Sequence, residues 1–153
     1  MLNNSHYIDK LRSSGLRPTK QRIKICEILF NTEKTFHFTI NDLVKKISKA
    51  TNDKISLATV YNTVHAFKKK GYLKEIPINS DQSYFDTNTS HHHHFYDENQ
   101  KDLIDIDDAD VEPVKINTRI PGKKIKSVEV LVKVEDTESV SYTHLTLPTS
   151  DLV

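Results

Sequence analysis

Ser56-Leu57-Ala58-Thr59-Val60-Tyr61-Asn62-Thr63-Val64-His65-Ala66-Phe67-Lys68-Lys69-Lys70-Gly71 is the stretch that decides the fold. Serine at its head suits a helix N-cap, because its hydroxyl accepts a hydrogen bond from a backbone N–H that the first turn leaves unpaired. Glycine at its foot supplies a residue that ends a helix in the left-handed conformation, and three lysines lie against the negative end of the helix dipole. Between these ends Leu57, Val60, Val64 and Phe67 recur at helical spacing and are expected to face inward. Directly downstream, two β-like runs, Tyr72 to Ile78 and Ser83 to Thr87, flank the turn signal Asn79-Ser80-Asp81. Helices followed by such a hairpin spell a winged helix-turn-helix, in which the last helix enters the DNA major groove and the hairpin lies along the backbone.

Upstream, residues 4 to 13 are weakly helical and Ser14-Gly15 breaks them. Pro18 as a first helical residue, with Ile25, Ile28 and Leu29 on one stripe, predicts a helix from Pro18 to Asn31. Thr39 caps a further helix in which Ile40, Leu43, Val44 and Ile47 fall at i, i+3, i+4 and i+7, making one buried face. From Ser90 the composition changes to a histidine run, an acidic segment from Asp97 to Glu112, then Ile120-Pro121-Gly122 and an alternating strand from Ser127 to Val134. This part has too few apolar residues for a core of its own and is expected to complete itself by pairing with another copy. The expected organisation is α+β: a winged-helix DNA-binding domain with a hinge over residues 1–88, then a small α/β dimerisation and sensing domain over 89–138. The last stretch, 139–153, resembles the translation of a sequencing adapter and is expected to be a non-native tail.

The net charge of +1 over 153 residues hides an asymmetry. Residues 1–80 hold 15 Lys and Arg against 6 Asp and Glu, a balance of +9, and residues 81–153 hold 7 against 15, a balance of −8. A basic front half suits a polyanion partner, since phosphate contacts supply most non-specific affinity for DNA, whereas an acidic back half does not. Two ordinary solvated surfaces would read the same way on charge alone. No stretch approaches the roughly 20 apolar residues that cross a bilayer, and no leader is visible, so a cytoplasmic address without membrane contact is expected. One cysteine, Cys26, lies in an apolar run and reads as a core thiol, which excludes an intrachain disulfide framework and a four-cysteine zinc site.

Two constellations carry chemistry. On the deciding helix, Ser56, Thr59, Tyr61 and Asn62 sit near the start, where short polar side chains and an aromatic can reach phosphates and base edges. The alternative is that Tyr61 packs inward while the others cap. Arg17, Lys20, Arg22, Lys68, Lys69 and Lys70, at the ends of adjacent helices, favour the double-stranded DNA reading. The second constellation is Phe85-Asp86 followed by His91-His92-His93-His94. In an extended chain alternate side chains share a face, so His92 and His94 point one way and His91 and His93 the other. Two imidazoles on one face make half a metal site, which Asp86 and Asp105 can close if the strands pair. A solvated polar loop is the alternative. An expression tag is not, since the run lies inside the chain.

The order Gly15-Leu16-Arg17-Pro18-Thr19, His37 at the start of the third helix, Leu57-Ala58-Thr59-Val60-Tyr61, Phe85-Asp86 and His-x-His resembles the ferric uptake regulator family over about residues 5 to 135. The resemblance implies a transcriptional repressor, homodimeric, with a regulatory metal at the hinge between a winged-helix domain and a dimerisation domain. It implies His37, Asp86, His92, His94 and Asp105 as the ligands. Three imidazoles and two carboxylates suit Mn²⁺, Fe²⁺ or Zn²⁺. Aspartate at 86 looks like the peroxide-sensing branch. Asp97-Glu98-Asn99-Gln100 stands where most members carry Cys-x-x-Cys, so a structural zinc is expected to be absent. That loss, with the histidine run, looks most like the iron response regulator branch, which senses haem and controls iron and haem genes. With Arg17 before Pro18 there is no Cys-Pro haem motif, so a haem would have to use His91, His92 or His93. A metal-dependent hydrolase is the rival from another class, but it would also need substrate-positioning groups in a cleft, and the sequence offers a basic helical domain instead.

Overall fold

The computed structural model describes residues 4–137; the adapter-like stretch from 139 lies outside them. The first unit runs to Ser90 and the second starts at His91. In the first, α1 (Asn4–Ser13), α2 (Lys20–Phe30), α3 (Ile40–Ala50) and α4 (Leu57–Lys70) pack with a three-stranded antiparallel sheet of β1 (His37–Phe38), β2 (Lys74–Asn79) and β3 (Gln82–Asp86). The strand order is β1-β3-β2.

Helices α2, α3 and α4 each begin where a hydroxyl can take over an orphaned N–H. Thr19 accepts from the Arg22 N–H, Thr39 forms a reciprocal capping box with Asp42, and Ser56 accepts from the Thr59 N–H. Thr19, not Pro18, is therefore the boundary residue of α2. At the far end of α4, Gly71 takes φ +91°, where a β-carbon would be strained. The helices bury Leu11, Ile25, Cys26, Leu29, Leu43, Ile47, Val60, Val64 and Phe67 in one core, closed by Phe38 and Phe85 from the sheet and by Leu73 just ahead of β2. The Cys26 thiol is fully buried, and burial pushes its pKa up to about 12, as befits a core thiol rather than a reactive one.

Two differences from the sequence reading stand out. Leu57 is 56% exposed instead of inward: it occupies the first turn of α4, ahead of the buried Val60. His37 sits not in α3 but in β1, paired with Asp86, while Phe38 pairs with Phe85. Two residues are too few to show any periodicity, and the pairing is extended by Thr87, whose N–H donates to the Phe36 carbonyl while its hydroxyl accepts from the Phe36 N–H.

In the second unit, β4 (His93–Asp97) is central, flanked by antiparallel β5 (Asp102–Ile106) and parallel β6 (Leu131–Val134). A 3₁₀ turn, Asp108–Asp110, follows β5. Tyr96, Leu103 and Ile106 are its buried apolar side chains among the described residues.

On β2, Glu75 lies 3.2 Å from the Lys68 ammonium. Burial pushes the Glu75 carboxyl up, but hydrogen bonds from Ser83 and Lys68 and the charges of Lys68 and His65 outweigh it and hold it below its ordinary 4.5. A carboxyl depressed by folding stabilises the folded form above pH 4.5, and that contribution is lost as pH falls below 4.5 through the lowered value. Glu75→Gln should flatten the acid limb of stability in urea unfolding curves taken at successively lower pH.

Candidate metal centre and DNA-facing helix

Strand geometry sorts the histidines. In the second unit the side chains of His92 and His94 lie on the face that also carries Asp105, with ring centroids 4.4 Å apart. Their Nε2 atoms are 3.5 and 3.2 Å from the same Asp105 oxygen. A divalent cation about 2.1 Å from each donor sets neighbouring donors roughly 3.0 Å apart in an octahedron and roughly 3.4 Å apart in a tetrahedron. These two separations therefore match edges of a coordination polyhedron, and the donor set fits a divalent metal. His94 is 3% exposed while Asp105 is exposed, so one side stays open to further ligands.

His91 and His93 face the other way and are engaged with the backbone. The His91 Nε2–H donates to the Val128 carbonyl at 2.6 Å, and the Val130 N–H donates to His93 Nδ1 at 2.9 Å. Accepting at Nδ1 leaves the His93 proton on Nε2, which is directed at Asp108, 3.7 Å away. Neither nitrogen of His93 then offers a free lone pair to a metal while Val130 is held. Together the two odd histidines tie residues 128–130 to β4, and no pattern in the sequence announces that, because the partners are backbone atoms 37 residues away.

In the first unit, β3 carries Asp86, 2% exposed, opposite His37 on β1. One Asp86 oxygen accepts the Asn88 N–H at 2.9 Å, which fixes the carboxylate at the end of the strand. The next residue inward, Phe85, meets the edge of the His65 ring at 5.4 Å, and His65 stacks on Tyr61 at 4.1 Å between centroids. His65 is the residue that the sequence reading left without a role: its ring bridges α4 to the strand carrying Asp86.

Of the DNA-contact candidates, Tyr61 and Asn62 are exposed on α4 beside Leu57. Ser56 and Thr59 are already engaged as the cap, with their hydroxyls 2.8 Å apart. Arg22 donates to the Arg17 carbonyl at 2.9 Å, which ties the two arginine segments together, and Lys68 pairs with Glu75. Arg17, Lys20, Lys69 and Lys70 keep surface positions at helix ends. Where a Cys-x-x-Cys would stand, the Asp97 carboxylate accepts from the N–H groups of Asn99 and Gln100 and closes a turn.

These two units define a winged-helix protein with a histidine and carboxylate donor cluster in a second small domain. The profile of the Ferric uptake regulator family matches residues 13–134, and the chain belongs to that family. It is 36% identical over 100 residues to the peroxide operon regulator of Bacillus subtilis and 34% identical over 99 residues to the peroxide-responsive repressor of Staphylococcus aureus strain Mu50. The matched region is 65% of this chain in both, and 66% and 65% of those proteins, just under two thirds of their length. Among solved structures, the ferric uptake regulator of Pseudomonas aeruginosa with manganese superposes with a TM-score of 0.61 at 23% identity, over 90% of this chain and 100% of that one. The Vibrio cholerae ferric uptake regulator gives 0.64 at 21%, over 84% and 98%. Both likenesses are of fold.

His93→Ala should leave the part-buried Val130 N–H without its acceptor, at a cost of about 1 kcal/mol, and loosen the β6 edge. Faster hydrogen exchange at Val130 and Val132, without the same change in His92→Ala, is the expected readout.

Proposed function

We propose that the chain is a metal-responsive transcriptional repressor that binds double-stranded DNA operators as a homodimer in the cytoplasm, controlling genes of iron and haem homeostasis. The observation that carries the reading is the His92, His94 and Asp105 donor triangle, with its coordination-edge spacing, in a member of this family. His37 and Asp86 complete the ligand set when metal is bound, so that Mn²⁺, Fe²⁺ or Zn²⁺ draws on ligands from both units. Binding then selects one arrangement of the two units, and in a dimer that arrangement sets whether both copies of α4 reach half-sites a whole helical turn apart. Chemically the bound cation supplies charge and geometry alone. The work on DNA is done by Tyr61 and Asn62 in the groove and by Arg17, Lys20, Arg22, Lys69 and Lys70 at phosphates.

A divalent cation is favoured over haem because the cleft of about 600 Å³ beside His91 and His93 is lined by Asp108 and Glu112, whose charges repel porphyrin carboxylates. A second reading, repression relieved by peroxide, is supported by Asp86 and by the peroxide regulators of B. subtilis and S. aureus among its relatives. Zn²⁺ has no redox chemistry, so peroxide should abolish DNA binding by the Fe²⁺-loaded protein and leave the Zn²⁺-loaded protein unaffected if that reading holds.

Titrating the purified protein with Mn²⁺ while following operator binding tests the main reading: affinity for DNA should change with metal, and no response to any of the three cations would overturn it. His94→Ala should weaken Mn²⁺ binding on the order of 10-fold or more while His91→Ala leaves it near wild type, as measured by calorimetry. Because ligating imidazoles must be deprotonated, affinity for metal should fall as pH is lowered. Replacing Lys69 and Lys70 together by alanine should reduce the salt slope of DNA binding by about one per lost phosphate contact.

A further inference from the structure

Residues 113–128 contain five cations, Lys115, Arg119, Lys123, Lys124 and Lys126, and no carboxylate; the preceding residues 105–112 contain five carboxylates and no cation. Every residue from 113 to 127 is exposed. The segment turns at Ile120-Pro121-Gly122-Lys123, where the Lys123 N–H donates to the Ile120 carbonyl and Gly122 takes φ +77°. Proline followed by a positive-φ glycine is the composition of a type II turn, so the excursion is a shaped arm. Its apolar residues are left in water: Ile116, Ile120 and Ile125 are 50%, 70% and 62% exposed. Residues on both sides of that turn, these isoleucines and arm lysines among them, line a cleft of about 690 Å³.

The sheet of the same unit shows a matching surface. Phe95 pairs in register with Ile104 on one side and Val132 on the other, so the three stand in a row across β5, β4 and β6 on one face. All three are exposed. His94 and Asp105 lie on the opposite face, because side chains alternate along a strand. A row of exposed apolar side chains across a small sheet, bordered by the acidic 105–112 segment, is what a basic, isoleucine-bearing arm can cover.

We infer that residues 113–128 are an exchange arm: in a two-fold dimer each arm lies across the Phe95, Ile104 and Val132 row of the other copy, its lysines facing that copy's 105–112 carboxylates. A two-fold operator makes the contact reciprocal, so one segment and one surface per chain suffice for closure. A second copy fits better than DNA, since nucleic acid would satisfy the lysines and leave the isoleucines exposed. The contact also leaves the His92, His94 and Asp105 face open. The inference rests on the homodimer reading above and names the element that builds it.

Sedimentation of the full chain without DNA tests it. Wild type should be dimeric. K123E/K124E/K126E should raise the dimer dissociation constant on the order of 100-fold, because like charges are brought together across the interface. D107K/D110K/E112K should do the same, and mixing the two variants should restore a heterodimer, which misfolded chains could not form. In a separate variant pair, I104C mixed with I120C should give an interchain disulfide on oxidation, Cys26 being buried. A monomeric wild type would remove the homodimer reading and this inference together. A dimer indifferent to both charge reversals, or arm variants that weaken only DNA binding, would overturn the exchange arm and leave the dimer standing.

Discussion

Adjacent residues on a strand point to opposite faces, and the first unit depends on both faces of β3 being buried at one place. Phe85 enters the helical core and Asp86 meets His37, so the strand is fixed twice over. A slip of one residue would put a carboxylate into the core and a phenyl ring at the donor position, at a cost no turn preference could offset. The irregular pairing near Pro77 and Asn79, next to the hairpin turn, takes up the mismatch in strand length without disturbing that register.

Because Phe85 also touches His65, and His65 stacks on Tyr61, strand and helix share a wall of rings. His65 touches both the strand that carries Asp86 and, through Tyr61, the exposed side of α4, all inside the first unit. Asp86 and Tyr61 thus belong to one unit, and His92, His94 and Asp105 of the second unit sit on its sheet face away from the Phe95 row.

Helices and hairpin were legible in the sequence because their signals are local: a hydroxyl cap, a 3.6-residue stripe, a glycine stop. Leu57 was misplaced because the stripe says which residues share a side but not where the core ends along the helix. The split of the histidine run into two faces followed from the two-residue period of a strand. What the odd pair does could not follow, since His91 and His93 meet backbone atoms of a distant segment and backbone carries no side-chain code. His65 was equally hidden: a histidine on a helix reveals nothing of the ring that a later strand will set beside it.

The parallel pairing of β6 with β4 has a consequence in time. His91 and His93 find their partners at Val128 and Val130, 37 residues further along the chain, whereas the first unit closes on itself before Ser90. Loop closure over that distance is slow relative to helix and hairpin formation, and a ribosome adds only about 5–20 residues each second. The first unit can therefore fold without residues 131–134, while the β4 edge stays unpaired until they are present. Until then β4 carries an open strand edge, the kind of template on which another chain can pair.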